Sequence, residues 1–244
     1  MLAETTWGAI HRWVAARLDC PPKATRGAGI HAQAHGSSLA DYHDVYVWLM
    51  GQAAIVSAPA DLADAVRHAV AGQAFAALGD PAFWRGALGG RVKRTVGPSY
   101  QGFVDASTFR TGPTLGARPL TSADRPALSG FVAACPPHAW ADSAIALDHD
   151  PIFALERDGA LIALASAPLD GPVDVGMRSV GVVTLPAWRG QGAGGAVVGA
   201  LTSHWLARGA PLRYQTLRAN VASVAIARAL GYVDVATTLA VRLR

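Results

Sequence analysis

The stretch that most restricts this chain is Gly190-Gln191-Gly192-Ala193-Gly194-Gly195, with four glycines in six residues. It follows the β-branched run Val180-Gly181-Val182-Val183-Thr184 and precedes the apolar segment Ala196–Leu201, so it reads as a turn from strand into helix. Glycines there let the backbone approach a ligand closely. Unpaired N–H groups and the dipole at the start of the helix favour a negative charge. A turn that served only tight strand–helix packing would not need so many glycines, so an anion cradle is the better reading.

The same six residues also satisfy Gly-x-Gly-x-x-Gly, the dinucleotide fingerprint. That reading needs an acidic residue about 20 positions further on, to hold a ribose hydroxyl. Between Asp174 and Asp234 there is no Asp or Glu, whereas Arg178, Arg189, Arg208, Arg213, Arg218 and Arg228 all fall in that interval. Pro186-Ala187-Trp188-Arg189 also makes the connection longer than the tight dinucleotide turn, and no Lys-Ser/Thr follows, as a Walker A loop requires. A ligand with several phosphates and no acid-read ribose fits best. Coenzyme A is such a ligand, and a dinucleotide-dependent oxidoreductase is set aside.

Composition narrows the rest. Of 244 residues, 51% are hydrophobic, enough for a sizeable core. No apolar run approaches the ~18 residues of a membrane span, and the first twenty residues do not read as a signal peptide. They read as an amphipathic helix with Ile10, Trp13, Val14 and Leu18 on one side. Cys20 and Cys135 supply neither a disulfide framework nor a metal site, and His31, His35 and His43 are too loosely spaced for one. The pI of about 9.4 rests almost wholly on arginine, Lys23 and Lys93 being the only lysines, which suits a GC-rich coding bias. No basic run or aromatic-interleaved basic stripe points to nucleic acid. The expectation is a cytoplasmic, bacterial protein without metal, nucleic-acid or membrane partners.

Gly112-Pro113-Thr114-Leu115-Gly116 marks the best boundary, dividing residues 1–111 from residues 112–244. In the first part, Asp44–Met50, Ala53–Val56 and Val92–Val96 read as strands, and Asp61–Leu78 and Ala82–Leu88 as helices. In the second, Arg118–Leu120 is a short strand, followed by a helix through about Ala134. Ile152–Glu156 and Leu161–Ala165 form a hairpin across Arg157-Asp158-Gly159. A strand over Arg178–Leu185, a helix from Gly194 to Arg208, a strand over Leu212–Leu217, an Asn220-capped helix ending at Gly231 and a strand over Val233–Leu243 complete it. The fold class is α/β, a mixed sheet flanked by helices.

Residues 115–244 resemble the GNAT superfamily of N-acetyltransferases. Val182-Val183-Thr184-x-Pro186-x-x-Arg189-x-x-Gly192-x-Gly194 matches its first signature. Asn220-x-x-Ser223, closing on Leu230-Gly231-Tyr232, matches the second. The resemblance implies a GNAT-like mixed sheet and acetyl transfer from acetyl-CoA, as co-substrate, to a primary amine of a small molecule or protein. It implies that Val182, Val183 and Thr184 splay from the next strand and pair with the pantetheine arm. Amides of Arg189, Gly190, Gln191, Gly192, Ala193, Gly194 and Gly195 would hold the pyrophosphate. Asn220 and Ser223 would face the pantetheine, and Arg228 a coenzyme phosphate. Residues 1–111 fit either a degenerate GNAT-like half or a cap over the acceptor site, and a homodimer is left open.

Transfer to an amine needs a base for the amine proton, donors for the oxyanion and a proton for the thiolate. Many GNAT enzymes supply the last from a tyrosine seven residues after the helix asparagine; here that position is Ala227. Ser223 is the candidate replacement. Glu156 and Asp142 are candidate bases, with His138 and His149 behind them. Ala227 also motivates the alternative of a catalytically silent protein that binds or senses acyl-CoA.

Overall fold

A computed structural model describes all residues from Met1 to Arg244. Helices α1 (Glu4–Leu18) and α2 (Pro22–Arg26) precede strands β1 (Gly29–Ala34), β2 (Val45–Met50) and β3 (Ala53–Ala58). Helices α3 (Ala63–Val70) and α4 (Pro81–Leu88) then lead into β4 (Val92–Val104). After the short β5 (Arg118–Pro119) come α5 (Arg125–Ala134), α6 (Pro137–Asp142), β6 (Ile152–Arg157), β7 (Ala160–Ser166) and β8 (Arg178–Thr184). The chain continues with α7 (Ala193–Leu206), β9 (Leu212–Leu217), α8 (Val221–Ala229) and β10 (Val233–Leu243).

All ten strands join one mixed sheet in the order β1-β3-β2-β10-β4-β9-β8-β7-β6-β5. The side-chain alternation sorts the helices. In β4, Tyr100 and Val104 pack with α7 and α8, while Phe103 between them packs with Trp13 of α1. In β2, Val45, Val47 and Leu49 meet α3 and α4, whereas Trp48 and Met50 meet α1. In β8, Val180 belongs to the α7 side and Val183 to a cluster with Phe131 of α5. One face of the sheet therefore carries α3, α4, α7 and α8, and the other α1, α2, α5 and α6. The amphipathic reading of the first helix holds: Ile10, Trp13, Val14 and Leu18 are buried, and each aliphatic among them contributes about 1.5–3 kcal/mol.

Two local expectations change. The helix expected over Asp61–Leu78 stops at Val70, because Gly72 takes φ 68°, and the chain resumes as a 3-10 turn at Phe75–Gly79. The strand expected to stop at Val96 runs on to Val104. Gly97-Pro98 sits in a bulge where the register steps from Ser99↔Thr238 to Val96↔Ala240, which is where a central strand tolerates a proline. β1, α2 and α6 are elements the sequence pattern does not signal.

β4 comes before Gly112 in the chain, yet it lies between β9 and β10, both of which come after it. β10 in turn pairs with β2. The N-terminal strands do not repeat the β6–β7–β8 meander, since β1 runs parallel to β3 and β2–β3 is a hairpin.

Candidate active site

β8 and β9 run parallel for three rungs, Arg178↔Leu212, Ser179↔Arg213 and Val180↔Tyr214, and then part. Beyond that point Gly181–Thr184 pair only with β7, and Gln215–Leu217 only with β4. The facing edges of the two strands form a V that opens toward the glycine turn. The strand edge carrying Val182, Val183 and Thr184 is therefore free on the β9 side, as an extended ligand would require.

At the mouth of the V the turn enters α7. Gly192 holds φ 82°, in the left-handed region, and no side chain caps the helix. The backbone N–H groups of residues 190 through 195 donate to no acceptor in the protein, so a run of amides at a helix start is left for an anion. Gly194 is a contact glycine: a Cβ there would stand 3.1 Å from Ile226 Cδ1 and 3.2 Å from Thr184 Oγ1. That absence of a side chain keeps the gap between α7, α8 and β8 open. Arg189 donates from Nε to the Thr184 carbonyl at 3.2 Å, and Gln191 from Nε2 to the Ala187 carbonyl at 3.1 Å. Both side chains brace the turn.

Across the V, Asn220 caps α8 by accepting from the Ser223 N–H at 3.2 Å. The Ser223 hydroxyl lies 2.9 Å from the Tyr214 hydroxyl. Ala227 is fully buried in the cluster that holds Tyr214 and Tyr232. Tyr232 is a packing residue, its hydroxyl 2.8 Å from Thr202 Oγ1 and its carbonyl bonded by the Tyr100 hydroxyl at 2.7 Å. Arg228 is exposed on α8, 3.9 Å from Asp234, a carboxylate already held at 2.8 and 2.9 Å by Arg218.

The candidate bases separate in space. Glu156 is exposed on β6, with β7 between it and the V, and pairs with Arg118 at 3.5 Å. His149 Nδ1 accepts from the Ala146 N–H at 3.2 Å and lies 2.8 Å from Ser166 Oγ, bonds that fold its loop and tie it to the end of β7. His138 is exposed on α6. Asp142 is the last residue of α6, and the next carbonyl, that of Ser143, crowds Gly181 so closely that a Cβ there would stand only 2.3 Å away. α6 thus ends against the first unpaired residue of the V, on the face opposite α7. Gly181 was the missed signal, a glycine inside a β-branched strand.

Sequence reading also missed the buried charge beneath the closed end. Arg213, 3% exposed, pairs with Asp170 at 2.8 Å and donates to Gln101 Oε1 at 2.9 Å and to Gln215 Oε1. The Trp13 ring lies 4.6 Å from its guanidinium, and the Trp13 indole donates to the Asp170 carbonyl at 2.8 Å. Helix α1 is thereby tied to the rung next to the V. No group of three or more His, Cys, Asp or Glu side chains gathers where it could hold a metal ion, and no helix is long and apolar enough to cross a membrane.

Comparison with solved structures places the fold. A GNAT-family acetyltransferase from Colwellia psychrerythraea is 16% identical with a TM-score of 0.51, the match covering 66% of this chain and 61% of that one. A GNAT-family protein from Novosphingobium aromaticivorans is 22% identical with a TM-score of 0.46, over 62% and 65% of the two chains. At these identities the likeness is one of fold, and this chain spans just under two thirds of the length of either. Comparison with curated proteins gives no match. The family model for the acetyltransferase (GNAT) family matches residues 119–232, from β5 to the residue before β10. That matched segment carries the V, the glycine turn and the Asn220-capped helix, so the part of the chain similar to the GNAT acetyltransferase family is the part that builds the cleft.

Proposed function

We propose that the V between β8 and β9 binds acetyl-CoA and that the protein transfers its acetyl group directly to a primary amine, in a ternary complex. The observation that carries this reading is the run of unpaired amides at residues 190–195, at the mouth of a cleft whose strand edge is also unpaired. The pyrophosphate would sit on those amides and the pantetheine would pair along Val182–Thr184, with Asn220 and Ser223 on its other side. Backbone N–H groups around Val183 would face the oxyanion. Asp142 is favoured over Glu156 as the base, because α6 ends at the V whereas Glu156 lies beyond β7. Arg228 would have to leave Asp234 to meet a phosphate. The acceptor is an amine of a small molecule or a protein.

The test is thermal unfolding with and without acetyl-CoA. A ligand at a hundred times its dissociation constant adds about 2.7 kcal/mol of stability. An unchanged transition at saturating acetyl-CoA would refute the binding site itself. A second reading, an acyl-CoA-binding protein without catalysis, is favoured by the buried Ala227. It predicts stabilisation without thiol release over a broad amine panel, and a single amine that turns over would dismiss it.

A further inference from the structure

Tyr214 and Val180 form the last shared rung of β8 and β9, so the Tyr214 side chain rises at the closed end of the V, on the α7–α8 face. It is 1% exposed, and its only hydrogen-bond partner is the Ser223 hydroxyl at 2.9 Å. Burial pushes this phenol up, partly offset by the Ser223 bond, so it stays protonated at neutral pH. The titratable groups packed around it are the phenols of Tyr232, 5.4 Å away between ring centroids, and Tyr100, which burial pushes up to about 12. A buried phenol with one partner must donate to it, or its own proton goes unsatisfied. Ser223 is half-buried and therefore accepts from Tyr214, leaving its own O–H free to point into the cleft.

With phosphates on the glycine turn, an extended arm running from Thr184 toward Val180 covers about 13 Å of strand. On the coenzyme A reading, its far end, the sulfur, would lie at the Val180–Tyr214 rung, beside Ser223. We propose that Tyr214 is a positioning residue for the leaving sulfur, holding the Ser223 hydroxyl so that it donates a hydrogen bond to the thiolate. This rests on the coenzyme A reading of the cleft. In the step itself the amine nitrogen bonds the acetyl carbon and the base takes the amine proton. The C–S bond then breaks with its electron pair on sulfur. The thiolate accepts the Ser223 hydrogen bond and is protonated from solvent on release. The phenol compensates for Ala227 from a different element of the fold.

The experiment compares the affinities of coenzyme A and S-methyl-coenzyme A, which cannot ionise at sulfur, from about pH 6 to about pH 10. A thiol ordinarily titrates near 8.5, and a donor to its charged form lowers that value. In the natural protein the affinity ratio should rise about tenfold through this range, a shift of about one unit. Tyr214→Phe, which keeps the ring, should cut the rise to about threefold or less, and Ser223→Ala should abolish it. Equal rises in the natural protein and Tyr214→Phe would overturn the positioning role while leaving the coenzyme site intact. If neither ligand binds the natural protein, the reading of the cleft falls, and the positioning role falls with it.

Discussion

Val180 and Tyr214 form the last rung shared by two parallel strands, and every feature of the candidate site is measured from that rung. Above it the strands part toward the glycine turn. On one face stand Tyr214 and Ser223. On the other the end of α6 closes over Gly181, and one rung below lies the buried Arg213.

Gly192 sets the first prediction. A β-branched residue at φ 82° is strained and would reshape the amide run. Gly192→Val should abolish the acetyl-CoA-dependent rise in unfolding temperature while leaving the unliganded protein folded. Isothermal titration checks it, and unchanged binding would displace the pyrophosphate from this turn.

The ion pair of Arg213 and Asp170 supports a second. Removing the carboxylate leaves a guanidinium that is almost wholly enclosed, and breaking such a pair costs about 3 kcal/mol or more. Asp170→Ala should lower the urea midpoint accordingly and weaken the docking of α1, seen as a change in tryptophan fluorescence from Trp13. A variant as stable as the natural protein would show that Gln101, Gln215 and solvent suffice for Arg213.

Asp105 gives the acid dependence. Burial raises its pKa, but hydrogen bonds from Ser107, the Ala3 amide and Thr6 outweigh it and hold the carboxyl below the usual range. A depressed carboxylate contributes stability above its unfolded value, about 3.9, and that contribution disappears as pH falls through the folded value. Asp105→Asn should therefore be less stable at neutral pH, with the difference shrinking below about pH 4. Urea midpoints across pH test this, and a constant difference would assign the loss to packing alone.

The sheet order yields a fourth. β10 pairs only with β2 and β4, both from the N-terminal part of the chain. Residues 112–244 expressed alone would leave β10 without a neighbour and expose the edge of β9. They should show no cooperative urea transition, and a sharp one would establish that segment as an autonomous unit.

What the sequence made legible is what is local. The β8–α7 turn and the Asn220 cap depend on residue types within a few positions of each other, so glycine spacing and an asparagine before an apolar run were enough. The placement of β4 was not readable. Gly97-Pro98 interrupts its pattern, and pairing with β9 and β10 leaves no mark on its own residues. As isolated acids Asp142 and Glu156 look alike, and the sheet order, with β7 between Glu156 and the V, and the contact of Ser143 with Gly181 set them apart. Likewise Tyr214 was visible as a strand residue, but its bond to Ser223 depends on two elements meeting in space.

The insertion of β4 also shapes how the molecule must form. The rungs that complete the sheet join distant parts of the chain, as where Val241 of β10 pairs with Val45 of β2, next to the bond that Arg242 donates to Asp44 across 198 positions. Such closures gain nothing until a long loop has already been restrained, so folding should be slow relative to a chain built from local hairpins. The parting of β8 and β9 stands beside β4, which packs along the far edge of β9. The cleft thus takes its final shape only when those late, long-range rungs are in place.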